Sequence, residues 1–347
     1  MRQLTILVSA SGAPGTAALL RALRANGERT VRLVGTDMSE RAVGRHLCDA
    51  FHRVPPGSDP GFAEAMLEVC RHESVDVLLP QSSFDLLGLA EAKGRFEDVA
   101  VLVSPPEAIR RANDKAETYA LLDKIGVQGP AWRRVTGGQA VTEAARELGY
   151  PGRAVCLKPV FSSGSRGFRV LSASADRQAA LFENRPGVAG AMRLEELVEL
   201  LPEEAGPELL VMELATGKER TVDGIAEKGR IVLGHPKTRE ATRAGLAMYF
   251  ETLDDPGLIE TAGKIVAELA LDHFFNIQLV GDHVIEINPR ISTIVYQEDL
   301  NLAYLGVKHA LGEISDEELG ELASRVRPTR RALRYFDQVE WDAQVLT

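Results

Sequence analysis

A lysine, Lys158, interrupts an apolar run at 155–159 near the middle of the chain. Burying an ammonium group among apolar side chains is costly unless an anion meets it, and a phosphate group would be such an anion. The glycine-rich loop that follows, 162–167, offers hydroxyl groups, backbone N–H groups and the side chain of Arg166. This pattern predicts a lid over nucleotide phosphates. An exposed hairpin beside a lysine that extends into solvent is the alternative interpretation.

Oxygen-bearing side chains alternate with apolar ones over residues 274–288, which predicts a β-hairpin. Only one register keeps the apolar side chains together, and it requires a three-residue loop at 281–283. This register places Gln278 opposite Glu286, with Asn288 beside Glu286 on the same face. Hard oxygen ligands of this kind suit Mg²⁺ that is also held by substrate phosphates. We therefore predict a magnesium site at Gln278, Glu286 and Asn288, with a solvated sheet face as the alternative.

Basic residues accompany both elements. Arg290 closely follows the hairpin and is predicted to neutralise charge on a transferring phosphoryl group or to bind a substrate carboxylate. Lys237, Arg239 and Arg243 form a second basic group, and its arginines are candidates for binding a carboxylate through two hydrogen bonds. A solvated turn is an equal alternative for Lys237.

The order of these motifs resembles that of the ATP-grasp superfamily, especially the synthetase domains of carbamoyl-phosphate synthase. The resemblance rests on Lys158 with the loop after it, on Met212-Glu213-Leu214, and on the Glu286-to-Arg290 segment. It extends over almost the whole chain. The segment 185–207 is charged and proline-bearing and has no counterpart in the pattern.

The resemblance implies a role for each matching residue, with Glu213 and Leu214 at the adenine and Glu219 on the ribose. The implied nucleotide-binding residues are Lys115, Lys158, Ser163, Gly164, Ser165, Arg166, Gly167, Glu213, Leu214 and Glu219. The implied metal ligands are Gln278, Glu286 and Asn288. The implied catalytic residues are Arg290, Lys158 and Arg239, and the candidates for substrate binding are Arg239, Arg243 and Arg290.

The elements that must hold these residues predict an α/β protein, and the resemblance implies that its fold is the ATP-grasp fold. Apolar runs of strand length, separated by amphipathic segments, are typical of a parallel sheet buried on both faces. These runs lie at 4–8, 31–35, 75–79 and 99–103. The predicted domains are a Rossmann-like domain at 1–112, a small lid at 113–208, and a mainly antiparallel subdomain with the metal site and a helical tail at 209–347.

A loop of small residues follows the first predicted strand. Ala10, Gly12 and Gly15 have the spacing of a dinucleotide-binding loop, and Asp37 ends the second strand. An NAD(P)-binding oxidoreductase is therefore an alternative function. The alanine at the first position and Pro14, which lacks an N–H group for pyrophosphate, favour a tight turn without a ligand.

Composition excludes several classes of partner. The chain has 347 residues and a net charge of -10, from 40 Lys and Arg against 50 Asp and Glu. This charge repels nucleic acid and anionic membranes, and no apolar stretch reaches the ~20 residues that span a bilayer. Cys48, Cys70 and Cys156 lack the spacing of a disulfide framework or a zinc site, which indicates a cytoplasmic protein.

The resemblance implies an enzyme that uses ATP and Mg²⁺, for which Mn²⁺ can substitute, to activate a carboxylate as an acyl phosphate and couple it to an amine. Both substrates would be small molecules, and a homodimer is an assembly that the sequence allows. An amino-acid or peptide-type ligase is favoured over a carbamoyl-phosphate-synthase-like enzyme, which normally requires paired synthetase halves and an ammonia source. A nucleotide-binding protein without turnover is a further alternative.

Overall fold

The computed structural model describes residues 2–162, 166–176, 178, 182, 191–242, 246–292 and 299–342. The chain forms two units. Unit 1 consists of the described parts of Met1–Val103, Arg290–Arg327 and Arg331–Thr347, and unit 2 of those of Ser104–Pro289 and Pro328–Arg330. The first unit therefore ends before the boundary that we predict at residue 112. No helix among the described residues is long and apolar enough to cross a membrane.

Unit 1 confirms the predicted parallel sheet. Its strands are β1 (Leu4–Val8), β2 (Val31–Asp37), β3 (Ala50–Arg53), β4 (Val77–Leu79) and β5 (Ala100–Val101). They lie in the order β3-β2-β1-β4-β5, and all neighbours are parallel. Its helices are Thr16–Arg24, Gly44–Leu47, Phe62–Glu73, Ser83–Glu91, Leu302–Ala310 and Asp316–Ser324, with a 3₁₀ helix at Lys93–Arg95 and a short strand at Arg331–Leu333.

The helical tail belongs to unit 1, although the sequence groups it with the C-terminal subdomain. Asn301 Nδ2 donates to Ala22 O at 2.6 Å, and Lys308 Nζ contacts Glu28 Oε1 at 2.9 Å. The helix Leu302–Ala310 buries an apolar side, which requires an apolar partner. Sequence order alone does not reveal which unit supplies that partner.

Unit 2 contains a five-stranded sheet in the order β6-β10-β7-β8-β9. The strands are β6 (Trp132–Val135), β7 (Val155–Pro159), β8 (Arg169–Leu171), β9 (Ala191–Met192) and β10 (Leu209–Glu213). The sequence places β10 in the C-terminal subdomain, but β10 pairs antiparallel with β6 and β7, so that Leu210 lies opposite Lys158. The strand that follows the predicted boundary at residue 208 thus lies in the same sheet as β6 and β7.

A four-stranded sheet, β12-β11-β14-β15, completes unit 2. Its strands are β11 (Glu219–Glu227), β12 (Arg230–Thr238), β14 (His273–Val280) and β15 (His283–Asn288), with a short β13 at Tyr249–Glu251. The helices of unit 2 are Pro106–Asn113, Lys115–Ile125, Gly138–Glu147, Leu194–Val198 and Pro256–Leu269. Buried Val222, Ile277 and Ile287 share an apolar core with Leu258 and Ile265 of the last helix, which leaves the polar side chains on the other sheet face.

The β14–β15 hairpin has the predicted register but a different turn. Gln278 lies opposite Glu286, as predicted. Val280 pairs with His283, so the loop has two residues rather than three. The register then shifts at Gln278, which makes Ile285 an extra residue on β15, a β-bulge. The predicted loop length is wrong because the extra residue lies in the strand and not in the turn.

Candidate functional site

One face of the sheet β12-β11-β14-β15 is polar. Strand alternation and side-chain contacts bring together on this face Glu219, Thr221, Asp223, Lys237, Arg239, Asn276, Gln278, Glu286 and Asn288. We refer to these residues as the polar sheet face. Four strands contribute to it, so its composition depends on strand pairing as well as on sequence.

Lys158 donates only to neutral oxygens among the described residues. Its Nζ lies 2.8 Å from Tyr119 Oη and 3.4 Å from Ile285 O. Tyr119 Oη donates to the same carbonyl at 2.8 Å. Desolvation lowers the pKa of Lys158 to about 8, although the charge of Glu286 opposes this shift. Lys158 is thus a partly buried cation with no anionic hydrogen-bond partner in the part of the chain that the structure describes, as expected of a group that binds an anion.

Lys115 has similar surroundings. It is the first residue of a helix that Asp114 caps. Its Nζ donates to Ser162 O at 2.5 Å and to Val160 O at 3.4 Å. Burial lowers the pKa of Lys115, while the charges of Glu286 and Asp114 act in the opposite direction. Both lysines therefore lie within electrostatic range of Glu286, as a phosphate site next to a metal site requires.

The three predicted metal ligands are close neighbours. Gln278 and Glu286 are cross-strand partners, and Asn288 follows two positions after Glu286. Asn288 Nδ2 donates to Asn276 Oδ1 at 3.3 Å, which turns the Asn288 carbonyl oxygen away from Asn276. Gln278 Oε1 accepts from Arg239 at 2.8 Å. Glu286 and Asn288 are thus the better donors, and one carboxylate plus one amide oxygen fits Mg²⁺ that keeps waters and binds phosphate.

Arg239 pairs with Glu219 on the polar sheet face and also donates to Gln278. Burial raises the pKa of Glu219, the charge of Arg239 opposes this, and the charge of Glu286 adds to it. Arg239 therefore compensates a carboxylate of its own chain, which is a different use of its charge from the predicted substrate binding. Arg243 lies outside the described residues.

The predicted adenine position lies at the end of β10. Glu213 N donates to Ala131 O at 2.8 Å, and Cys156 Sγ lies 3.7 Å from Glu213 O. The Glu213 carboxylate lies 3.4 Å from Arg153 Nη1. Leu214 packs against the apolar core of unit 2. This end of β10 is adjacent to β7, the strand of Lys158.

The glycine-rich loop is described only in part. The predicted residues outside the described ranges are Ser163, Gly164 and Ser165. Arg166 is exposed. Gly167 has a φ of +76°, and a Cβ atom there would lie 2.7 Å from Pro159. Only glycine fits this position, because both the backbone conformation and the close approach exclude a side chain.

Arg290 belongs to unit 1. Its Nε donates to Ser83 Oγ at 3.0 Å, and its Nη1 donates to Ile291 O at 3.0 Å. Ser83 is the first residue of the helix Ser83–Glu91, which follows β4. The structure therefore places Arg290 at the carboxyl end of the parallel sheet, where open α/β sheets usually bind ligands.

The first glycine loop satisfies its own polar groups. Gly12 N donates to Asp37 Oδ2 at 2.8 Å, and Ser39 N donates to Asp37 Oδ1 at 2.8 Å. A dinucleotide-binding loop instead keeps its backbone N–H groups for pyrophosphate and its acidic residue for the ribose. The geometry thus agrees with the tight-turn interpretation of this loop.

A second group of side chains of the kinds that bind metal ions lies in unit 1. Glu73 accepts from His52 Nε2 at 2.6 Å, from His72 Nδ1 at 3.1 Å and from Arg32 at 2.5 Å. Burial raises the pKa of Glu73, but the hydrogen bonds from Arg32, His52 and His72 outweigh it, so that the pKa falls to about 2. Arg32 already compensates this carboxylate, so an ion-pair cluster accounts for the arrangement.

Sequence reasoning missed two contributors to the site in unit 2. Tyr119 lies four residues after Lys115 on one helix, a spacing that puts both on the same face. Asp223 alternates with Glu219 and Thr221 along β11, which is a period-two signal for a shared face. Neither signal shows that the residue contacts Lys158 or Asn276, because those contacts require the pairing of separate elements.

Two family descriptions match parts of the chain. "ATP-grasp in the biosynthetic pathway with Ter operon" matches residues 205–331, and "PylC-like, N-terminal domain" matches residues 6–104. The large chain of carbamoyl phosphate synthase from Rubrobacter xylanophilus is 29% identical over 267 residues, which cover 74% of this chain and 24% of that protein. The arginine-specific mitochondrial large chain from Neurospora crassa is 28% identical over 172 residues, 49% of this chain and 13% of that protein. The chain thus spans a quarter or less of these relatives.

Solved structures share the fold. The L-amino acid ligase from Bacillus licheniformis has a TM-score of 0.64 at 14% identity, covering 95% of this chain and 79% of that one. Biotin carboxylase from Campylobacter jejuni, in a complex described as containing β,γ-ATP, has a TM-score of 0.62 at 18% identity, covering 90% and 72%. The predicted ATP-grasp fold is confirmed by these structures, and residues 205–331 match an ATP-grasp family description.

Proposed function

We propose that this protein is an ATP-dependent carboxylate–amine ligase. The observation that carries the proposal is the group of Lys115 and Lys158 beside Glu286: two partly buried cations whose hydrogen-bond partners among the described residues are neutral oxygens, next to a carboxylate. A nucleotide polyphosphate would supply the negative charge that these lysines lack. The fold shared with an amino-acid ligase and with a carboxylase described with an ATP ligand supports the same assignment.

The residues have distinct roles in this proposal. Lys115 and Lys158 hold ATP phosphates, and Glu213 with Leu214 adjoins the adenine. Glu286 and Asn288 hold Mg²⁺, or Mn²⁺ in its place, with Gln278 beside them. When bound, the metal would neutralise charge on the phosphates. Arg290 keeps its predicted role of stabilising the transferring phosphoryl group.

The reaction has two steps. A carboxylate oxygen attacks the γ-phosphorus of ATP, the bond to the β–γ bridging oxygen breaks, and ADP leaves. The amine nitrogen then attacks the acyl carbon, inorganic phosphate departs, and the nitrogen releases a proton to solvent. These steps require positioning, compensation of charge and exclusion of water, and they need no nucleophile from the protein.

The favoured substrates are a small carboxylate and an amino acid or other small amine. The fold shared with an L-amino acid ligase supports this choice. We also propose a cytoplasmic location, in keeping with three free thiols at Cys48, Cys70 and Cys156. We propose a homodimer, because one structural neighbour is described as a dimer, and size-exclusion chromatography with light scattering would test it.

A matrix of carboxylates and amines tests the activity. ADP release should require ATP, Mg²⁺ and one particular pair of substrates, and the product should contain a new C–N bond by mass spectrometry. In parallel, ATP with Mg²⁺ should raise the melting temperature, by mass action on the folded state, whereas NAD(H) should not. Stabilisation by NAD(H) and not by ATP would refute the proposal.

A further inference from the structure

A buried ion pair supports the polar sheet face. Lys237 and Asp223 each have side chains that are 1% exposed, and their charged groups are in direct contact. The Lys237 ammonium also lies 5.0 Å from the centre of the Phe250 ring. A buried ion pair usually contributes no more to the free energy of unfolding than apolar residues of similar size would contribute at the same place. The pair therefore requires an explanation other than stability.

A directional chain of hydrogen bonds starts at this pair. Asn276 Nδ2 donates to Asp223 Oδ1 at 2.5 Å and to Thr221 Oγ1 at 2.6 Å. Because its nitrogen is committed there, the Asn276 oxygen points the other way. It accepts from Gln278 Nε2 at 2.8 Å and from Asn288 Nδ2 at 3.3 Å. Both outer amides consequently turn their carbonyl oxygens away from Asn276.

The Asp223 carboxylate determines the direction of this chain together with Thr221 Oγ1, which gives its own proton to Ile277 O at 3.0 Å and so also acts as an acceptor for Asn276. An ionised carboxylate only accepts hydrogen bonds, whereas an amide or hydroxyl group at the same place could donate as well. With an acceptor fixed at one end, Asn276 cannot reverse. If it reversed, Asn288 would turn its NH₂ group outward, and an NH₂ group does not bind Mg²⁺. Lys237 compensates the charge that the carboxylate brings into a buried site.

We propose that the Lys237–Asp223 pair is a positioning device that sets the direction of the amide chain through Asn276, so that Asn288 presents oxygen to the magnesium of a bound nucleotide. The inference rests on the proposed function, because that function supplies the metal–nucleotide ligand. Neither residue of the pair is itself a metal ligand. Outer contacts of this kind orient metal ligands, and their loss typically weakens metal binding about 10–100-fold.

The test measures metal dependence by calorimetry, with ADP as the probe and MgCl₂ titrated from zero. The double variant Asp223→Asn/Lys237→Met removes both charges at nearly constant volume. It should raise the half-saturating Mg²⁺ concentration about 10-fold or more, while ADP affinity in EDTA stays within about twofold. Circular dichroism checks the fold. The matched control, Arg111→Met/Glu268→Gln, removes an ion pair elsewhere in unit 2 and should leave the Mg²⁺ dependence unchanged.

Two single variants keep the test decisive if the double variant does not fold. Asn276→Leu interrupts the chain and leaves the ion pair intact, so it should also weaken Mg²⁺ dependence about 10-fold. Lys237→Arg keeps the opposite charges and should behave as wild type. Wild-type Mg²⁺ dependence in a folded Asn276→Leu or double variant would overturn the inference. A wild-type protein whose ADP binding does not respond to Mg²⁺ would overturn the proposed function, and this inference with it.

Discussion

The glycine loop of unit 1 and the lysine site of unit 2 both contain groups that could bind phosphate, but they differ in how those groups are used. In unit 1, Asp37 accepts hydrogen bonds from Gly12 N and Ser39 N. In unit 2, Lys115 and Lys158 donate to neutral oxygens alone among the described residues. This difference indicates that a glycine loop predicts a phosphate-binding site only when its N–H groups are not already hydrogen-bonded to acceptors within the chain.

The largest expected effect comes from removing a lysine of unit 2. Lys158→Met should lower ADP formation about 10³-fold, or about 4 kcal/mol, because the phosphates lose a charged contact. The melting temperature should not fall, since a partly desolvated charge is replaced by an apolar side chain. Lys264→Met, at a solvent-exposed pair with Glu260, is the control and should keep full activity. Full turnover by Lys158→Met would refute the comparison.

A smaller effect is expected when the carboxylate of Glu286, a proposed metal ligand, is replaced. Glu286→Gln should raise the Mg²⁺ concentration needed for half-maximal ADP formation about 10–100-fold, or about 1.4–2.8 kcal/mol, because a charged oxygen ligand becomes neutral. A titration of activity against MgCl₂ measures this. Glu260→Gln serves as the control. An unchanged Mg²⁺ requirement would remove Glu286 from the metal site.

A buried carboxyl group in unit 1 predicts a pH dependence of stability. Burial raises the pKa of Asp85 from an ordinary 3.8 to about 6, with the charge of Asp37 adding to the rise and the hydrogen bond from Ser9 opposing it. The folded state therefore holds the proton more tightly, and the free energy of unfolding decreases as pH rises from about 4 to about 6.

The matched measurement compares wild type with Asp85→Asn by urea unfolding at pH 4 and pH 7. The wild type should lose about 2 kcal/mol relative to the variant over this range, since the amide side chain of the variant cannot ionise. An equal change in the free energy of unfolding between pH 4 and pH 7 in the two proteins would show that Asp85 titrates normally. Nucleotide binding in unit 2 should be the same in both proteins at pH 7.

The smallest effect concerns the unit 1 loop itself. Asp37→Ala removes the acceptor for two backbone N–H groups and should lower the free energy of unfolding by about 1 kcal/mol. It should leave ATP-dependent stabilisation and ADP formation unchanged. A loss of ligand binding in this variant, measured by thermal shift with ATP or with NAD(H), would show that the loop is a binding site after all.

The sequence predicted most of the fold because hydrophobic periodicity reports local burial directly. The apolar runs at β1, β2 and β4 became buried parallel strands, and the alternation in β14 and β15 gave the correct pairing of Gln278 with Glu286. The turn was mispredicted because a bulge at Ile285 and a longer loop satisfy the same alternation. The helical tail lies in unit 1 and β10 pairs with β6 and β7, and neither grouping can be read from apolar patterning, which does not specify the partner of an element.

For the site, residue types alone determined that Lys158, Glu286 and Asn288 could serve phosphate and metal chemistry. Charge and ligand hardness are properties of single side chains, so they can be read from the sequence. Tertiary structure decided which of these side chains are paired with opposite charges within the chain. It paired Arg239 with Glu219, gave Lys158 the neutral partners Tyr119 and Ile285 O, and placed an ion pair behind the amides. Those outcomes depend on contacts between distant segments, and no local pattern encodes them.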